Sequence, residues 1–229
     1  LHDGNYLARI EDITTGSGTQ YKVYSSFWKA LSQQMPPEEP LPVPHMIDAP
    51  DEWPASDELT DWNLRPTSPD WATGFDVWEA GEHAAALAVD RFARVADAYD
   101  NDRNLPSEEG TSRLSPHLHF GEISPRDVWH QLGGRGQGIT TYRKELAWRD
   151  FTAGVLLELP DYPDANGRDR FNDLTWRRST NDLEAWQQGR TGYPIVDAGM
   201  RQLWRTGWIH NRVRMIVASF LVKHLLIDW

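Results

Sequence analysis

From Gly81 onward the apolar residues recur at intervals of three and four, as Ala84, Leu87, Ala88, Phe92, Val95 and Ala96 up to Tyr99. That period places one apolar face on a helix, and such a face is buried by packing against other helices. Two helix starts follow. Ser115-Pro116 sets a hydroxyl before a proline at the first helical position, and Ser124-Pro125-Arg126-Asp127 repeats this with an acid three residues after the cap. Gly133-Gly134 ends the second of these helices. Further helices are predicted over 139–159 (closed by Pro160), 181–188, 194–206 (closed by Gly207) and 210–227. Few convincing strands occur after residue 80, and neither repeats nor low-complexity tracts interrupt the pattern. The body is mainly α.

The first 80 residues read differently. The turn-rich Thr14-Thr15-Gly16-Ser17-Gly18 precedes Tyr21-Lys22-Val23-Tyr24, which has the look of a strand at the end of some other unit. Between Gln34 and Pro69 prolines and acids dominate, as in Pro36-Pro37-Glu38-Glu39-Pro40, which predicts an extended connector. Trp53, Trp62 and Trp71 are expected to pin that connector to a neighbouring surface. The chain starts at Leu1 rather than methionine and stops at Trp229 directly after an apolar run, with no capping glycine, so it reads as a fragment.

Composition narrows the chemistry. The absence of cysteine excludes disulfides, thiolate metal sites and thiol catalysis, and no His-Glu-x-x-His occurs, so a protein-bound metal is not expected. No run of eighteen apolar residues and no signal-like N-terminus is present, which fits a cytoplasmic protein acting away from membranes. The net charge of −11 argues against a nucleic-acid partner, but it is unevenly spread. Residues 1–110 carry 7 Lys and Arg against 21 Asp and Glu, whereas residues 111–229 carry 16 against 13. The second half can face a polyanion.

Three clusters there bear chemistry. In Gly207-Trp208-Ile209-His210-Asn211-Arg212-Val213-Arg214-Met215, two arginines crowd the opening turn of a predicted helix, where each cation costs about 0.3–1 kcal/mol unless an anion sits opposite. Asn211, Arg214 and Met215 share a face, and Arg212 flanks it. Pairing with carboxylates elsewhere in the chain is the alternative. Thr111-Ser112-Arg113-Leu114-Ser115 combines hydroxyls, a guanidinium and a helix start, which suits a phosphate, although Ser and Thr also cap helices routinely. In the 139–159 helix, Glu145 stands four residues from Arg149 and three from Trp148. A carboxylate beside a flat ring can grip a heterocycle, and a surface ion pair beside a core tryptophan is the competing reading. Trp176 and Trp229 lie away from these clusters, so packing is their default role, with one-electron relay as the alternative.

Taken together, Tyr99, Arg103, the run from Thr111 to Ser124, Lys144-Glu145-Leu146-Ala147-Trp148-Arg149-Asp150-Phe151, the run from Gly192 to Arg201 and the stretch around Asn211 resemble, in order and spacing, the DNA photolyase/cryptochrome family. The resemblance is strongest from Gly110 to Trp229. It implies a helical FAD-binding domain, incomplete at 81–229, preceded by a connector at 31–80 and the tail of an α/β antenna domain at 1–30. It further implies FAD held near its diphosphate by Tyr99, Thr111, Ser112, Arg113, Leu114 and Ser115, with Arg149 and Arg214 near the flavin. A second, antenna chromophore is possible in the intact protein, its identity left open by this sequence.

For the partner, the resemblance implies DNA carrying pyrimidine dimers, bound by a monomer. The lesion-side residues would be Arg103, Glu145, Trp148, Asn211, Arg212 and Met215, with Glu145, Trp148, Asn211 and Met215 catalytic, while Trp176 and Trp229 match outer members of an electron chain. Asn211 with Arg212 and Met215 points to class I cyclobutane-dimer photolyases. The family pattern continues beyond Trp229 with further flavin-contacting residues, so these 229 residues alone are expected to bind FAD weakly or not at all. A cryptochrome-like photoreceptor that binds FAD without repair, and an acidic helical interaction module without cofactor, are the competing functions.

Overall fold

The computed structural model describes residues 4–229. By backbone contacts the chain forms two compact units, one of Leu1–Pro40 with Ala80–Arg177 and one of Leu41–Glu79 with Arg178–Trp229. No β-strand forms among the described residues, and an isolated antiparallel bridge joins Thr14 to Gln20. No helix there is long and apolar enough to cross a membrane.

The first unit contains α1 (Tyr24–Leu31), α2 (Glu82–Ala93), α3 (Tyr99–Asp102), α4 (Ser115–Phe120), α5 (Pro125–Gln131) and α6 (Gln137–Glu158). Its organising element is α6, whose buried positions include Ile139, Tyr142, Leu146, Asp150, Phe151 and Gly154, a stripe at helical spacing. Phe27 and Leu31 of α1, Val89 and Phe92 of α2, and Val128 and Trp129 of α5 complete this core. Gly138 lets α6 pass close to the main chain: a Cβ there would overlap the carbonyl oxygens of Ala96 and Asp97.

Several sequence expectations change here. The strand-like Tyr21–Tyr24 does not pair; Val23 is extended but caps α1, because the i, i+4 pair Phe27 and Leu31 finds its burial as a helix. The helix expected through Tyr99 breaks after Ala93, turns through Ala96–Ala98 and resumes as α3. Ser115 occupies the first turn of α4 instead of capping it, since Leu114 stands at the cap with no side-chain hydrogen bond. Ser124 does cap α5, accepting from the Asp127 N–H.

The second unit contains a 3-10 segment (Trp71–Val77), α7 (Thr180–Gln187), α8 (Pro194–Thr206) and α9 (Asn211–Ser219). Val196, Met200, Ile209, Val213, Val217 and Phe220 form its core. Gly199 allows α8 and α9 to approach, because a Cβ there would overlap Val213. The Asp197 carboxylate fastens the entry to α8, accepting from the Thr191 N–H and hydroxyl at 2.7 and 2.6 Å and from the Gly192 N–H at 3.0 Å. The single helix expected over 210–227 is not continuous: α-helical bonding ends at Ser219 and a π-helical turn spans Phe220–His224. Trp53 and Trp62 are exposed, 76% and 57%, so they do not pin the connector as expected. The Trp71 side chain lies outside the described residues.

Candidate functional site

On α6, Glu145 and Trp148 stand one turn apart and share a face, as their spacing predicts, but their partners come from distant parts of the chain. Glu145 pairs with Arg103 at 2.5 Å, and the Arg103 guanidinium also lies 5.3 Å from the centre of the Tyr99 ring. The expected Glu145–Arg149 pair does not form. The Arg149 guanidinium donates instead to the carbonyls of Asn5 at 3.2 Å and Leu118 at 3.1 Å, and burial pulls its pKa down. Trp148 lies parallel to Tyr24, with ring centres 3.9 Å apart at 5°, and meets Phe151 edge-on at 5.3 Å. Its indole remains 40% exposed, so a flat ring with a fixed backing is presented beside a fixed carboxylate.

The segment from Gly110 to Leu114 enters α4, a helix too short to supply an anion site by its dipole. What it offers is side-chain donors. Ser112 Oγ accepts from the Leu114 N–H at 3.3 Å and from the Tyr142 hydroxyl at 2.9 Å. A hydroxyl has two lone pairs and one hydrogen, so with both pairs engaged its O–H is left to donate outward. Arg113 takes a left-handed backbone, φ 53°, and its side chain is half exposed, 3.9 Å from Glu109. Thr111 is half-buried and Ser115 exposed. A donor hydroxyl and an exposed guanidinium on one short loop fit the diphosphate of a dinucleotide such as FAD. Leu114 departs from the expectation: its side chain is buried in the core, so only its backbone can face a ligand. Tyr99 is likewise a core ring, edge-on to Phe92 at 5.4 Å and to Tyr142 at 5.1 Å.

In the second unit, His210 caps α9, its Nδ1 accepting from the Arg212 N–H at 3.1 Å. Arg212 and Arg214 thus occupy the first turn of α9, where the helix dipole opposes cations. Arg212 Nη1 reaches the Met215 sulfur at 3.7 Å, so these two side chains do meet. Asn211, Arg214 and Met215 are exposed. Trp229 is also exposed, at 55%, while in the first unit Trp176 is half-buried.

Four residues of structural consequence were given no role of their own by the sequence. Tyr24 backs Trp148, and its hydroxyl donates to the Lys144 carbonyl at 2.6 Å. Tyr142 ties α6 to Ser112, and burial pushes its hydroxyl pKa well up, so it acts as a neutral donor. Its position three residues before Glu145, on the apolar stripe of α6, was the available signal. His117 of α4 bonds Glu122 in the segment after it, and this hydrogen bond, with one from the Gly81 backbone, holds the Glu122 carboxyl below its ordinary value. Asp150, 2% exposed, accepts from the N–H groups of Leu7 at 2.9 Å and Ala8 at 3.3 Å through one oxygen. Its other oxygen has no hydrogen-bond partner, and burial raises its pKa to about 7 despite those amides and the nearby Arg149 and Arg126.

Residues 142–229 match the family described as the FAD binding domain of DNA photolyase. With the helical fold, this defines the class: the chain belongs to the DNA photolyase family. Among particular relatives, it is 46% identical to a deoxyribodipyrimidine photo-lyase of Agrobacterium fabrum, over 99% of this chain and 49% of that protein. It is 42% identical to one from Synechococcus sp., over 96% and 48%. A crystal structure described as a bacterial class III photolyase from Agrobacterium tumefaciens superposes with a TM-score of 0.93 at 46% identity, covering 99% of this chain and 48% of the other. The chain therefore spans about half the length of the relatives it matches. The class III designation of that structure replaces the class I expectation with membership of the family as a whole.

Proposed function

We propose that the protein of which this chain is a part repairs cyclobutane pyrimidine dimers in DNA by light-driven electron transfer, as a deoxyribodipyrimidine photo-lyase, a carbon–carbon lyase, working as a cytoplasmic monomer. The observation that carries this reading is the α6 face: an exposed indole with a fixed backing, next to a carboxylate held by a guanidinium. The segmentation into an antenna-domain tail (1–30), a connector (31–80) and the first part of the catalytic domain (81–229) belongs to the same reading. So does class III within the family, the class given for the Agrobacterium tumefaciens structure.

An enzyme acting on a base within a duplex takes it out of the stack, and a dimer, which stacks and pairs poorly, is the cheaper one to extrude. In this reading Trp148 stacks on the extruded pyrimidines, a contact worth about 1–3 kcal/mol per base. Glu145 keeps one oxygen on Arg103 and has the other to accept from a pyrimidine N–H. On α9, Arg212 is assigned to a backbone phosphate of the DNA, Asn211 to a polar contact through its amide and Met215 to an apolar contact. Thr111, Ser112, Arg113 and Ser115, with the backbone of Leu114, would hold the diphosphate of FAD, and Tyr99 and Arg149 would shape its surroundings; Arg214 of the second unit is assigned to cofactor binding. Held there, reduced FAD would supply, under light, the electron for opening the cyclobutane ring and would take it back afterwards. Trp176 and Trp229 are assigned to one-electron relay at the surface.

The test is to illuminate a thymine-dimer oligonucleotide with the full-length protein under blue or near-ultraviolet light and count intact dimers. Loss of dimers dependent on light is expected. Their persistence, with flavin absorbance present, overturns repair in favour of a photoreceptor.

A further inference from the structure

The indole of Trp148 has one face already occupied. Tyr24, 124 residues earlier in the chain, lies on it in a parallel stack at 3.9 Å and 5°, a geometry closer to base stacking than to the tilted contacts usual in a core. Phe151 closes the edges, T-shaped to Tyr24 at 5.7 Å and to Trp148 at 5.3 Å. Tyr24 cannot slide along the indole, because its hydroxyl donates to the carbonyl of Lys144, one turn before Trp148 on the same helix, at 2.6 Å. The base of Tyr24 is fixed too: it opens α1, whose Phe27 and Leu31 are buried in the core. A ring held at one edge by a hydrogen bond and on its other sides by core packing has one function open to it at a half-exposed indole, which is to fix that indole's plane.

We infer that Tyr24 is a positioning residue for the Trp148 platform, so that the stretch before the connector contributes directly to lesion recognition. A tryptophan in an exposed position populates several rotamers, and stacking on a ligand must select one of them. The Tyr24 stack and the Lys144 hydrogen bond make that selection before the ligand arrives, so the open indole face meets the extruded dimer already oriented. Intact DNA, which extrudes no base, gains nothing from the arrangement. The effect of Tyr24 is therefore on discrimination rather than on overall affinity for DNA. This inference rests on Trp148 being the stacking platform.

The experiment is a double-substitution cycle on the full-length, flavin-loaded protein, reading in darkness the ratio of affinities for a thymine-dimer oligonucleotide and its undamaged counterpart. Tyr24→Leu, which removes the ring and keeps bulk, is expected to lower that ratio about 3- to 10-fold, within the range of aromatic pair energies. Affinity for undamaged DNA stays within about twofold. Tyr24→Phe keeps the stack and is expected to retain most of the ratio. In a Trp148→Ala background, Tyr24→Leu is expected to lower the ratio no further, because it acts through the indole; a merely structural role would cost the same in both backgrounds. If Tyr24→Leu fails to fold, judged by its circular dichroism, Tyr24→His takes its place in the cycle as a smaller, more polar ring, with the same expected direction. A normal ratio in Tyr24→Leu or its substitute, or an equal loss in both backgrounds, overturns the positioning role. If Trp148→Ala itself leaves the ratio unchanged, the platform reading falls, a result distinct from a Trp148→Ala loss that Tyr24→Leu does not share.

Discussion

The Glu145–Trp148 face of α6 and the Asn211–Met215 turn of α9 carry comparable chemistry, yet they are built on opposite principles. On α6 each side chain is gripped by a partner from far along the sequence: Arg103 for Glu145, Tyr24 for Trp148. On α9 the helix start is braced through its backbone, by His210 accepting from the Arg212 N–H, while Asn211, Arg214 and Met215 are exposed. A ring that must meet another ring face to face gains from being fixed beforehand. A guanidinium that must find a phosphate gains from reach, because charge attraction falls off slowly with distance. Under the proposed repair function, the first region is suited to selectivity and the second to affinity.

A related contrast separates Asp150 and Asp197, the two buried aspartates among the described residues, and the largest expected effect lies there. Burial raises Asp150 in the first unit to about 7 from an ordinary 3.8. Between those values the folded state keeps a proton that the unfolded chain releases, so stability of that unit falls as pH rises from about 4 to 7, by on the order of 2–4 kcal/mol. For Asp197 burial also pushes upward, but the Thr191 hydroxyl and the N–H groups of Thr191 and Gly192 outweigh it and hold the carboxyl below 3.8. Its contribution is present above that value and disappears as the pH drops below it. Protection factors from amide hydrogen exchange should therefore decline in α6 between pH 4 and 7 and stay level in α8; rising protection in α6 would break the contrast.

Next in size is Trp148→Ala. It should reduce discrimination between dimer-containing and intact DNA by roughly 1–3 kcal/mol, since base–indole stacking is lost only on the damaged substrate. Equal losses on both, measured by competition binding, would contradict a selective role for this face. The smallest effect is expected from Arg212→Ala, which should weaken binding to all DNA alike and shallow the slope of log K against log salt by about one phosphate contact. A selective loss on damaged DNA, or an unchanged slope, would make the two regions alike after all.

Local signals were the ones the sequence carried clearly. The predicted 194–206 helix coincides with α8, because Pro194 and Gly207 mark its ends with backbone chemistry that no tertiary contact overrides. Ser124 was readable as a cap for the same reason. Glu145 with Trp148 was legible as a face but not in its partners. The i, i+4 rule favoured Arg149, and that guanidinium is taken up by the carbonyls of Asn5 and Leu118. Which of two competing cations wins depends on distances between segments remote in sequence, and periodicity holds no record of these. Tyr24 was hidden likewise, inside a stretch whose β-branched and aromatic content suggested a strand until Phe27 and Leu31 found helical burial.

The π turn at Phe220–His224 is where the helix that begins at Asn211 runs out. Its closing bond joins the Leu225 N–H to the Phe220 carbonyl, five residues back instead of four, so the chain gains an extra residue without gaining a turn. Helical geometry ends with this turn, and Leu226 takes a left-handed backbone, φ 55°. His224 lies exposed with its ring along Phe220, and Leu221 and Ile227 are the buried ones. A helical wheel drawn straight through this stretch would carry residues 225–229, Trp229 among them, on a helix that has already ended.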